Sequence, residues 1–152
     1  MCKVAIAALI ALGLAGPAWA QSAPAKVVLI TETEANLPSL PDSALTMRAG
    51  VTRGPKIVLL SPTANANLKS PFHLQLKFET FGGAKIDPES LKVTYLKNPS
   101  VDLTTRIAPL TQGNGIDVAA AEVPPGTHHI RVNVKDSEGR AGSANFALKV
   151  AP

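Results

Sequence analysis

Histidine is the side chain that most readily binds transition metals or moves protons near neutral pH, and this chain has three. His128 and His129 are adjacent. On a strand, neighbouring side chains point to opposite faces, so the pair cannot chelate one ion while both keep regular β geometry. A tetrahedral site also requires three or four convergent ligands. The local alternation puts His128 inward with Ile130 and His129 outward with Arg131. His73 can join His129 only if their strands are neighbours. The residues therefore predict no metal site and no cofactor.

The carboxylates give no stronger signal. A glycosidase needs two of them roughly 5–10 Å apart across a cleft, and the spacing of Glu79, Asp87, Glu89, Asp102 and Asp117 predicts no such pair. Asp87-x-Glu89 and Asp136-x-Glu138 lie in turn-like stretches, where acidic residues are favoured anyway, and neither supplies the ~6–8 oxygens that calcium takes. Gly142-Ser143-Ala144 is not the strained G-x-S-x-G turn of a serine hydrolase. Gly82-Gly83 and Gly113-x-Gly115 suit hairpin turns and precede no helix, which argues against a phosphate cradle. Tyr95 suits a sugar-stacking platform or a core position beside Leu91 and Val93; the core position is preferred, because tyrosine is commonly buried with its hydroxyl at the rim. With no nucleophile, base and orienter together, the expectation is a non-enzymatic protein.

At 152 residues the chain has room for one domain. Its first part reads as a secretory signal: Lys3, an apolar run from Val4 to Leu14, a Gly16-Pro17 break, then Ala18-Trp19-Ala20. Cleavage is expected between Ala20 and Gln21. The apolar run is too short for a spanning helix of about 20 residues, so no stable membrane insertion is expected. The single cysteine, Cys2, leaves with the signal, which removes disulfides, thiol nucleophiles and sulfur-ligated zinc from consideration. The formal net charge of +4 drops by one with Lys3, and the remaining charges are interspersed. That pattern implies solubility, and it lacks the basic-aromatic clusters of a nucleic-acid binder.

Any functional residue must be positioned by strands. Lys26 to Thr31 reads as a short strand. From Glu32 to Gly54 the pattern dissolves into a connection, with Asp42 to Arg48 able to make a helical turn or two. Beyond Pro55, apolar and polar residues alternate between regularly spaced turns. Lys56 to Ser61 opens the series and a polar loop, Thr63 to Ser70, follows. Leu74, Leu76 and Phe78 then share one face, opposite His73, Gln75, Lys77 and Glu79. Ile86 to Ser90 reads as a turn, and Leu91, Val93 and Tyr95 as the inward face of the next strand. Weaker strands are expected at Thr104 to Ile107 and Gly115 to Val118. Finally His128, Ile130, Val132 and Val134 face inward, Asp136 to Gly139 turn the chain, and Phe146, Leu148 and Val150 complete a hairpin.

Ile86-Asp87-Pro88-Glu89-Ser90-Leu91, Gly115-Ile116, Pro125-Gly126-Thr127-His128 and Gly139-Arg140 before Phe146-x-Leu-x-Val together resemble bacterial immunoglobulin-like and fibronectin-type-III-like modules of exported proteins. The resemblance covers about Pro55 to Val150 and lacks the cysteines and core tryptophan of antibody-type domains. It implies an all-β, immunoglobulin-like antiparallel sandwich of about seven strands over 55–152, after a signal peptide (1–20) and an N-terminal strand and linker (21–54). The implied role is a non-catalytic protein-interaction or structural module, periplasmic or secreted, with an envelope protein as partner. The alternative is a glycan- or small-ligand-binding sandwich using the loops Thr63 to Ser70 and Asn98 to Leu103.

Overall fold

The structure is a computed structural model that describes residues 25–45, 53–63 and 66–152, so the expected signal and its Ala20–Gln21 cleavage site lie outside the described residues. The chain forms β1 (Val27–Val28), α1 (Glu32–Ala35), α2 (Asp42–Leu45), β2 (Lys56–Ser61), β3 (Asn67–Leu68), β4 (Phe72–Glu79) and β5 (Ile86–Tyr95). It continues through β6 (Val101–Asp102), α3 (Thr104–Ile107), a 3-10 turn at Ala108–Leu110, β7 (Thr111–Gln112), β8 (Gly115–Glu122), β9 (Gly126–Asp136) and β10 (Ala141–Val150). No helix among the described residues is long and apolar enough to cross a membrane.

Two sheets pack face to face as an all-β, immunoglobulin-like sandwich. Sheet one runs β1-β8-β4-β2, with β7 also on β8; sheet two runs β3-β10-β9-β5-β6. The long strands pair antiparallel, while the two-residue strands β1 and β3 attach parallel to β8 and β10. The period-two pattern explains the packing. Leu74, Leu76 and Phe78 of β4 and Ile116 and Val118 of β8 face Leu91, Val93 and Tyr95 of β5, Ile130, Val132 and Val134 of β9, and Leu148 of β10 in one core. Each fully buried side chain of this size contributes about 1.5–3 kcal/mol. Leu29 and Ile30, just after β1, enter the same core.

At one corner the two sheets meet backbone to backbone. A Cβ on Gly142 would stand 1.9 Å from the Pro55 carbonyl oxygen, and one on Gly54 would stand 2.1 Å from that of Ala141. Only glycine lets the start of β2 pass this close to the start of β10.

Four expectations are corrected. Ile86 to Ser90 is not a turn but the first half of β5, whose register against β9 shifts between Asp87 and Lys92. Its turn chemistry is present inside the strand: Asp87 Oδ1 accepts the Glu89 N–H at 3.1 Å and Ser90 Oγ donates to the Asp87 carbonyl at 2.6 Å, producing a bulge. Thr104 to Ile107 is α3 rather than a strand, because Asp102 Oδ1 accepts the Thr104 N–H at 2.8 Å and the Thr104 hydroxyl meets the Val93 N–H at 3.0 Å. Thr63 to Ser70 contains β3. Glu32 to Ala35, read as connection, is α1, started by a Thr31/Glu34 capping box.

Candidate functional site

His128 is buried at 2% exposure and fully engaged. Its Nε2 donates to the Pro124 carbonyl at 2.8 Å, which leaves Nδ1 to accept the Tyr95 hydroxyl at 2.8 Å. Burial pushes its pKa down; the Pro124 carbonyl opposes this, and Lys97 and His129 reinforce it. Tyr95 is completely buried, and burial with the charge of Glu34 pushes its hydroxyl up to about 12. The Lys97 ammonium lies 5.7 Å from the Tyr95 ring centroid and 3.3 Å from Ser39 Oγ. This is an internal network whose buried polar atoms all have partners. Tyr95 takes the core position, its hydroxyl on an internal partner instead of at the rim.

His129 faces away from His128, as alternation requires, and His73 belongs to the other sheet, so the three histidines do not converge. His73 instead contacts Asp117 Oδ1 at 2.7 Å across the outer face of β4 and β8. No group of three or more His, Cys, Asp or Glu that could hold a metal occurs among the described residues. Asp136 is a structural staple: it accepts the backbone N–H groups of Glu138 and Arg140 and the Arg140 Nε at 2.8–3.0 Å. Its burial favours protonation, but the Arg140 and Glu138 donors win and hold it below the usual carboxylate range. Ser143 lies on β10, not on a strained nucleophile turn.

Two surface features escape a reading by residue type. The first is the edge of β2. Among the described residues no strand pairs with its outer side, and Leu60 stands 50% exposed beside a register shift against β4. Such a shift re-aims a side chain outward. Other long edges are blunted: β5 carries Pro88 and a bulge, while β10 is met by β3, by Pro55 against Gly142, and by the Asn145 amide bonded to the Leu45 carbonyl at 2.6 Å.

The second is a hollow of about 500 Å³ on the outer face of sheet one, floored by Gly115 between Gln75, Lys77 and Asp117 and bounded by Leu60 and the Gln112–Asn114 turn. Neither feature coincides with the loops expected to bind a ligand.

No family model matches the chain, and no curated protein matches it. Among solved structures, the crystal structure of CopC from Methylosinus trichosporium OB3b is similar over 63% of this chain and 94% of that chain, at 18% identity and a TM-score of 0.43. The sandwich assignment rests on the chain's own strand pairing and packing.

Proposed function

We propose that the protein is a non-catalytic binding module of the cell envelope that takes an extended segment of a partner protein onto the edge of β2. The supporting observation is that edge: a six-residue strand with its outer side unpaired among the described residues and the apolar Leu60 on its surface. Unpaired N–H and C=O groups are a template for strand addition, and exposed side chains beside them add selectivity. The export signal expected at the N-terminus supports a location outside the cytoplasm.

A photo-activatable residue at Leu60, with another at Lys92 on the outer face of sheet two, tests the reading in cells. Cross-links to a discrete protein from position 60 and not from 92 are expected. No adduct at 60, or the same adducts at both, would remove the edge as the binding element.

A further inference from the structure

We propose that the hollow on sheet one is a binding site for a neutral oligosaccharide. This goes beyond the edge-pairing role and stands independently of it. The hollow has a physical origin. Gly115 pairs with Lys77 where the backbones crowd, and a Cβ there would stand 2.2 Å from the Leu76 carbonyl oxygen. The glycine therefore leaves bare backbone between the side chains of Gln75, Lys77 and Asp117. Past Lys77 and Asn114 the hollow continues into a second one of about 750 Å³. Both lie within the ~300–1,000 Å³ range of small-ligand sites, and they adjoin as one track along the shared residues Lys77, Gly113 and Asn114.

The chemistry along the track selects a neutral ligand. Both signs of charge stand along the floor, with Lys77 3.4 Å from Glu79 and Asp117 hydrogen-bonded to His73 at 2.7 Å, so no single sign there favours an ionic ligand. Lys85, on the far wall, is exposed and solvated. Neutral donors and acceptors remain. The side-chain amides of Gln112 and Asn114 make no hydrogen bond among the described residues, and Gln75 only approaches Asp117 at 3.5 Å. Each amide offers two donors and a two-lone-pair acceptor, which suits hydroxyl groups that both give and take hydrogen bonds. Phe81, 52% exposed, lines the second hollow, where its ring can cover the apolar C–H face of a pyranose.

The test is a titration of the ¹⁵N-labelled protein with two neutral probes, tetra-N-acetylchitotetraose and maltotetraose, at millimolar concentration. Saturable shifts of the Gln75, Gln112 and Asn114 side-chain amide signals are expected with at least one probe. Asn114→Ala and Phe81→Ala, both at exposed positions, should each weaken that binding about three- to tenfold, the equivalent of one lost hydrogen bond or apolar contact. Their melting temperatures should not change, and Lys92→Ala should bind as the parent does. Unshifted amides with both sugars, shifts confined to other surfaces, or variants that bind normally would each overturn the proposal. The Leu60 cross-linking result is separate, so failure of one does not imply failure of the other.

Discussion

The β9–β10 hairpin and the N-terminal segment from Val27 to Ser39 are both integral to the sandwich, yet different forces hold them. The hairpin is an unbroken ladder from Ala141↔Lys135 to Val150↔Gly126, with Ile130, Val132, Val134 and Leu148 in the core. The N-terminal segment contributes a two-residue strand and sets Leu29 and Ile30 into the same core, but from Thr31 to Ser39 it is held mainly by polar clamps. Glu34 is gripped bidentately by Arg106 at 2.7 and 2.8 Å, and Arg106 also donates to the Leu29 carbonyl at 2.9 Å. Further along, Asn98 donates to the Pro38 carbonyl and Lys97 to Ser39. Apolar burial makes the hairpin, with Leu29 and Ile30, cooperative with the whole fold, while a few polar and charged hydrogen bonds leave the stretch from Thr31 to Ser39 more separable from it.

The largest expected effect lies in the hairpin. Val132 is fully buried, so Val132→Asp places an unpaired charge in the core at a cost of several kcal/mol. A domain of this size has about 5–15 kcal/mol to lose, and the variant should be largely unfolded. Asn133→Asp, one position along and facing out, should change stability by under about 0.5 kcal/mol. Equal melting temperatures for the two would contradict the packing.

Next in size is the clamp. Arg106→Ala removes hydrogen bonds between charged groups, and with the guanidinium about a third exposed the loss should be about 1–2 kcal/mol. Limited proteolysis should then cut between Thr31 and Ser39 while the hairpin stays intact. Cleavage spread over the whole chain would show that the segment is not separable.

Acid should distinguish the regions by pH window. Arg106 holds the Glu34 carboxyl at about 2 against an ordinary 4.5. Its contribution is complete above pH 4.5 and is lost as pH falls toward 2. His128, on β9, has its pKa depressed below 6.5, so the unfolded chain takes up that proton first as pH falls. Stability from His128 is complete above pH 6.5 and declines below it. In melting curves against pH, Glu34→Gln should flatten only the lower window and His128→Gln only the upper one. A single shared transition unaffected by either substitution would contradict the assignment.

This contrast also explains what was legible in the sequence. Period-two alternation is local, so β4, β9 and β10 and their inward residues could be read from neighbouring positions. The Thr31-x-x-Glu34 capping box was equally local and carried the signal for α1. Thr104 to Ile107, by contrast, looks strand-like by composition, and its helical turn depends on contacts from Asp102 and Val93. The Glu34–Arg106 clamp joins residues 72 positions apart, and the hollow exists only where β4, β8 and the Gln112–Asn114 turn are assembled. Pairings at that distance leave no periodic trace in one sequence. Leu60 was visible as an apolar residue in a strand, but its exposure follows from sheet order.

The most direct measurement on the proposed function is amide hydrogen exchange along β2, with and without the protein captured by cross-linking at Leu60. Strand addition forms backbone hydrogen bonds, so bound partner should slow exchange between Val58 and Ser61, where the outer edge is open, and leave the inner hairpin pairs of Val132 and Val134 unchanged. Slowing confined to the loops at the ends of the sandwich, with β2 exchanging as in the free protein, would contradict the account.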